Sequence, residues 1–539
     1  MKKYIICLLI FISASQYSCK KFLNITPIDK LTGNNFYISK DDIEANITDM
    51  YGQLFDKYTR TSFAGATGEF RSGEVIPAEQ GGEIREGISR IGGHKRKAPN
   101  PQGNTDKQNI STTAINDRLL LEALDNGRQW GGYNFKDLTY WNEYYKVIQS
   151  ANLLVSKIAE GIPALTAEDA LRYDAEARFI RSFCYFQMVR LYGDVVYYTD
   201  AYQKDPLMRE NMVSVVNKCI EDLKPYKDNL PKVFNDPSQK GVRASQGAVI
   251  GLLMNMNMWN AGFDIPNRTK YYEETAALGE EIKRSNSFRL LPLSDWAVVA
   301  KGRSDESLFE LFRTLNYNNN PENPFEQANA YSPFGDAFIH FPYKKPEYTH
   351  RFSFSVFSEQ YIRKLYPDGG DQRLSIWFVA PFDQNAETFQ LRKFALNAYS
   401  DANNPNLDIN PDNTYLIMRY ADAILLRAEA YANLGKDDQA ISALNEVRER
   451  AQAPLYPNGS ADGNLKDAIF LERSKELMGE GSRYFDLVRT RRILSKEWTD
   501  NPLTADKFNR GGWTWPIDVS ALINNPNMTL NTYWIGAGL

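Results

Sequence analysis

The stretch IMRYADAILLRAEAYANLG, residues 417–435, places Tyr420, Ile424, Ala428 and Tyr431 on one stripe of an α-helix. Gly435 then offers a residue free to take the left-handed backbone that ends a helix. Asp437 stands where it can cap a second helix, which carries Ile441, Leu444 and Val447. Two helices of about four turns joined by so short a link form an antiparallel hairpin. The small residues Ala428, Ala432 and Ala440 allow the pair to approach closely.

The same period recurs upstream, where Ala177, Ile180, Cys184, Met188 and Leu191 mark an amphipathic helix and Gly193 supplies its stop. Further helices are expected at residues 41–55, 141–158, 212–226, 245–259 and 270–283. Together these predict an all-α fold of tetratricopeptide-like helix pairs, over residues 41–285 and 415–451. Two long stretches lack the period: residues 60–136 are rich in glycine, and residues 313–412 in Asn, Pro, Tyr and Phe. Stretches of that length inside a compact domain serve function or are disordered, and an abundance of Tyr and Phe argues for function.

At the N-terminus, Lys2 and Lys3 precede a short apolar run, Tyr4–Ile12, followed by small and polar residues. This is the pattern of a secretory signal, and the run is less than half of what a membrane-spanning helix requires. Ser18 before Cys19 resembles a bacterial lipobox, with Gln16 where the strict pattern has an apolar residue. The expected organisation is a signal peptide over residues 1–18 and a single domain over 19–539, lipid-anchored through Cys19.

The formal charge of −4 is spread along the chain, so no global field favours nucleic acid. The basic run His94–Lys97 has no interleaved aromatics and reads as a solvated loop. Cys7, Cys19, Cys184 and Cys219 form no CxxC pair, and the three histidines, His94, His340 and His350, have no metal-ligand spacing. No HExxH, GxSxG, P-loop or EF-hand string occurs, so neither a metal nor a cofactor is implied and no catalytic residue is assigned. Arg473, Glu476, Glu480, Arg483, Asp486 and Arg489 lie at helical spacings. Arginines interleaved with carboxylates keep them ionised, which suits an ion-pair network better than acid catalysis. Two carboxylates converging from distant positions would leave no local motif, so a surface glycoside hydrolase stays open.

Four longer segments carry a family resemblance. AEARFIRSFCYFQMVRLYGD (175–194), the 417–435 stretch with ALNEVRERA (443–451), LERSKELMGEGSRYFDLVR (471–489) and TWPIDVSALINNPNMTLN (514–531) resemble, in order, motifs of the SusD/RagB family of nutrient-binding lipoproteins. Val196 and Asp518 stand where that family usually has proline. The resemblance implies an all-α body that supports an irregular ligand face. It further implies a surface-exposed outer-membrane protein that catalyses nothing and caps a SusC-like TonB-dependent transporter, delivering oligosaccharide to it. Peptide capture is the alternative within the family, and a pure protein scaffold remains a third reading.

Sugar rings stack on exposed aromatic rings while amide and charged groups orient them. The candidate ligand contacts are therefore Trp130, Tyr133 and Asn134, within GRQWGGYNF, and Tyr317, Tyr331 and Phe334. Trp130 also precedes the helix where the family places a ligand-contacting tryptophan. Glu69, Arg71 and Arg128 are the polar candidates, in the early region where the family's polar contacts arise. Trp141, Trp259, Trp513 and Trp515 read as scaffold.

Overall fold

The computed structural model describes residues 37–59, 63–77, 91–93, 135–312, 355–367, 369–379, 381–382, 390–391, 393–394, 413–523 and 525–536. Its helices are α1 (Lys40–Thr59), α2 (Asn142–Glu160), α3 (Ala167–Tyr192), α4 (Met212–Leu223), α5 (Gln246–Phe263) and α6 (Arg268–Ser285), followed by α7 (Tyr420–Asn433), α8 (Asp437–Arg450), α9 (Leu465–Glu476) and α10 (Arg483–Arg489), besides shorter turns of helix. Their starts are written in the sequence. Thr166, Ser245 and Asn464 accept, respectively, from the backbone N–H groups of Asp169, Ala248 and Asp467, satisfying donors that the first helical turn leaves unpaired.

Short links fold α2 onto α3, α5 onto α6 and α7 onto α8. In the last of these, Gly435 takes φ +69°, the left-handed conformation expected of it. The hairpins lie side by side because α6 packs on α7, while α1 covers α2 and α4 bridges α3 and α5. This is the all-α, tetratricopeptide-like arrangement expected from the helical period. No helix of the described residues is long and apolar enough to cross a membrane.

Two details differ from the sequence reading. Asp437 is the first residue of α8 rather than its cap. Residues 415–419, expected to begin α7, are a strand that pairs with Ser307–Leu311. YLIMR is a short apolar run, which periodicity alone cannot assign to helix or strand. A partner strand from far upstream settles it.

The core is rich in aromatic rings. Phe179 and Phe183 of α3 meet Phe309 edge to face, with centroids 5.1 and 5.3 Å apart. Trp259 of α5 lies 5.6 Å from Trp513, so the C-terminal segment closes over that helix. Trp141, Trp259, Trp513 and Trp515 are all buried, as their scaffold assignment requires. Cys184 and Cys219 are buried free thiols.

The end of α5 passes so close to α10 that a Cβ on Gly262 would stand 2.3 Å from the carbonyl oxygen of Arg489. Gly262→Ala is expected to cost about 1–3 kcal/mol, the usual penalty of overpacking. Gly52 in α1 has nothing within 4 Å of its would-be Cβ, so Gly52→Ala should stabilise by roughly 0.5–1 kcal/mol. Denaturant midpoints measure both. Equal shifts of the same sign would contradict the close approach.

Candidate functional site

Strand pairing brings the two irregular regions together. β1 (Val75–Pro77), the last described residues before 78–90, pairs antiparallel with β3 (Ser355–Phe357), the first after 313–354, with Pro77 opposite Ser355. β2 (Ser307–Leu311) pairs with β6 (Tyr415–Arg419), with Leu311 opposite Tyr415, so the start of the second region meets its end. A third ribbon joins β4 (Phe378–Val379) to β5 (Gln390–Leu391). Short ribbons of this kind are marginal alone and need tertiary anchorage.

That anchorage is ionic. From β6, Arg419 donates to Glu476 Oε1 at 2.7 Å, to Glu480 Oε2 at 2.8 Å and to Glu306 Oε2 at 3.2 Å. Beside β5, Lys393 donates to Glu480 Oε1 at 2.6 Å and to the carbonyls of Glu476 and Met478 at 2.8 and 2.9 Å. Ahead of β4, Arg373 reaches Glu476 Oε2 at 2.9 Å, Glu472 Oε1 at 2.5 Å and Asp371 Oδ1 at 2.9 Å. Glu74, just before β1, accepts from Arg483 at 2.8 Å. Arg450 of α8 completes the ring around Glu476. Every one of these stems thus ends on α9, the turn after it or the first residue of α10.

Neighbouring charges join the supporting helices. Arg473 bonds Asp422 of α7 at 2.7 Å and Asp486 of α10 at 3.0 Å, and Arg489 holds Asp486 and Glu429. The sequence expectation that 473–489 forms an ion-pair network holds for each of its named residues. Its partners Arg373, Lys393 and Glu74 had no signal in the sequence, because they come from regions with no helical period, and Arg419 had none because its segment read as helix rather than strand.

Burial by itself would raise the pKa of Glu476, but Arg450, Arg419 and Arg373 outweigh it and hold the carboxyl well below its ordinary range. Burial is likewise outweighed at Asp486, by Arg473 and Arg489. Carboxylates kept ionised and shut from solvent do not donate protons to a substrate. Glu69 and Glu310 go the other way: burial pushes them up to about 8 and about 7. Both are fully enclosed, so the raised values serve no accessible acid. Among the described residues no cluster of histidine, cysteine and carboxylate side chains is arranged to hold a metal ion.

Of the sequence-predicted ligand contacts, Trp130, Tyr133, Asn134, Arg128, Tyr317, Tyr331 and Phe334 lie outside the described residues, as does Cys19. Glu69 and Arg71 are described, and the structure corrects their reading: both are interior. Arg71 spends its guanidinium on the carbonyls of Gly512, Trp513 and Thr514, at 2.5, 2.6 and 2.8 Å, within reach of the Tyr484, Trp515 and Trp534 rings. Glu69 accepts from the backbone N–H of Gly481 at 3.1 Å. Both side chains fasten the early segment to the C-terminal one, and the glycine-rich sequence around them gave no sign of that distant closure. Trp296 and Trp377 were not singled out by sequence. They lie against each other, 4.7 Å between centroids, and cover Lys393 at 5.2 and 4.4 Å.

Glu476→Ala would take a shared carboxylate from three buried guanidiniums, each of which keeps another, at an expected cost of about 3 kcal/mol. A denaturant midpoint within error of the unaltered protein would contradict the network. Glu310 binds its proton more tightly folded than unfolded, so its contribution is complete below about pH 4.5 and is lost as pH rises through about 7. Glu310→Gln should therefore flatten the stability profile between those values, and an unchanged slope would refute the shift.

A family model described as the SusD family matches residues 296–534, and one described as starch-binding and associating with the outer membrane matches residues 84–257. A SusD-like protein of Formosa agariphila is 25% identical, over 95% of this chain and 95% of its own. The crystal structure of a SusD homolog from Bacteroides thetaiotaomicron is 30% identical and superposes with a TM-score of 0.76, covering 93% of this chain and 99% of that one. A laminarin-binding SusD-like protein, 20% identical, shares the fold with a TM-score of 0.66 over 92% of this chain and 100% of its own.

Proposed function

The chain belongs to the SusD/RagB family, and on that premise we propose that it is a surface binding protein of the outer membrane, which captures an oligosaccharide and hands it to a SusC-like TonB-dependent transporter. The observation that carries this reading is the fastening of the stems. Pro77, Leu311, Ser355 and Tyr415, which lie in or beside the two irregular stretches, are paired in ribbons whose flanking charges are locked into the buried network. Rings borne on a rigid frame lose little freedom when a sugar stacks on them.

Each stacked ring adds about 0.5–1.5 kcal/mol, so a few rings hold a glycan without trapping it. A carrier that must release its cargo needs such an affinity. Binding rather than hydrolysis is favoured further because Glu472, Glu476 and Asp486 are enclosed and paired with arginine. Laminarin binding in a protein of the same fold supports a glycan over a peptide. Acylation of Cys19 would keep the body at the membrane face, and Cys19→Ala should shift the protein from the membrane to the soluble fraction.

Calorimetric titration of the full chain against neutral glucan oligosaccharides and against peptides tests the reading. Trp130→Ala and Tyr331→Ala are each expected to weaken glycan binding by about threefold to tenfold. Tight peptide binding without a glycan signal would reassign the cargo. Glycan affinity unmoved by either substitution would remove the stacking face.

A further inference from the structure

A cleft of about 450 Å³ opens between the end of α3, the start of α4, the end of α5 and the C-terminal segment. It is lined by Arg209, Arg491 and Arg510, with Asp194 as its carboxylate, and Asn509 and Thr532 at its edge. Neither of the two described candidate contacts, Glu69 and Arg71, lines it.

Its positive charge is only partly neutralised from within, since three arginines line it beside the one carboxylate of Asp194. Arg491 donates to the carbonyl of Gly262 at 3.2 Å and lies over Phe508 and Phe263, 4.3 and 5.0 Å from their centroids. Arg209 donates to the carbonyls of Asp194, Tyr192 and Thr529, at 2.7, 3.0 and 3.2 Å. Neither forms an ion pair among the described residues. Asp194 accepts from the backbone N–H of Met212 at 2.9 Å and its charge acts on Arg209, while Arg510 pairs with the exposed Asp506 at 3.4 Å and lies over the Tyr533 ring. Burial, and then repulsion from Arg268, holds the Arg491 guanidinium below its ordinary value, while at Arg209 burial does so against the opposing charge of Asp194. A guanidinium drawn partly out of water without a counter-charge among the described residues, as Arg491 is, favours an incoming anion. Arg491 is moreover held at φ +63°, a left-handed backbone uncommon for a side-chain-bearing residue, which directs it into this cleft rather than along α10.

We propose that the cleft is a second binding site, for the oxyanion of an acidic saccharide, a sulfate ester or a uronate carboxylate, gripped by Arg491 and Arg510. Exposed Asn509, Thr529 and Thr532 around the cations offer amide and hydroxyl groups that match saccharide hydroxyls better than acyl chains. The site goes beyond the aromatic face proposed above and does not depend on it.

Titration of the full chain tests it with a sulfated galactan tetrasaccharide, an oligouronate tetrasaccharide, their neutral counterparts and phosphatidylglycerol vesicles. At least one acidic saccharide is expected to bind about tenfold more tightly than its neutral counterpart, and to weaken as salt rises from about 50 to about 300 mM. Arg491→Gly removes the charge while suiting the left-handed backbone, and should lower that affinity by about tenfold. Arg510→Gln, at an exposed position, should lower it by about threefold without touching the fold. Both variants should keep any neutral-glycan affinity that depends on Trp130 and Tyr331, which separates this site from the aromatic face. The proposal is overturned by failure of both acidic saccharides to bind, by binding unchanged in both variants, or by vesicle binding without saccharide binding.

Discussion

The carboxylate of Glu476 has no solvent-exposed surface, and Arg373, Arg419 and Arg450 close around it. An isolated charge in that position would cost several kcal/mol. It is tenable only because three separate parts of the chain each bring a guanidinium to it. Two of those parts are stems of the ribbons that border the irregular regions, and the third is the end of the α7–α8 hairpin. The folding of the helical body and the placement of the stems are therefore one event.

A similar volume of apolar side chains would bury these elements at least as favourably, since replacing a buried ion pair by well-packed hydrophobes is often neutral or stabilising. What charge adds is direction. A one-residue slip of β6 against β2 would turn Arg419 to the opposite face and leave Glu476, Glu480 and Glu306 short of a partner. Trp296 and Trp377 exclude water from the same place: Trp296 donates its indole N–H to the Lys393 carbonyl at 2.8 Å, and its ring lies 5.2 Å from Arg419. A drier surrounding strengthens each pairing and raises the penalty for losing it.

The division of labour follows from this. The charges around Glu476 are matched with carboxylates and fix the frame, whereas Arg209 and Arg491 in the cleft beside α10 hydrogen-bond to carbonyls and carry the proposed anion site. Arg473 and Arg491 differ in this way although eighteen positions apart in one segment. The difference lies in what stands opposite each: Asp422 and Asp486 for the first, Phe263 and Phe508 for the second.

Helix positions were legible because an amphipathic stripe is a local property, and so α3, α5, α6 and the α7–α8 hairpin follow from the spacing of their own apolar residues. The 473–489 charges were legible as ion-pair formers for the same reason, although only Arg473, Asp486 and Arg489 pair with one another. The rest of the network was not: Arg373 and Glu476 are 103 residues apart, and Glu74 and Arg483 are 409 apart. Nor could composition tell that Glu69 and Arg71 turn inward, since a charged residue in a glycine-rich stretch is buried only if a distant segment supplies carbonyls and N–H groups to receive it. By itself, the amino-acid sequence determined which segments are helical and which family motifs they carry. Tertiary structure alone decided which charges are spent on the frame and which remain open to a ligand, because that depends on the groups that folding sets opposite them.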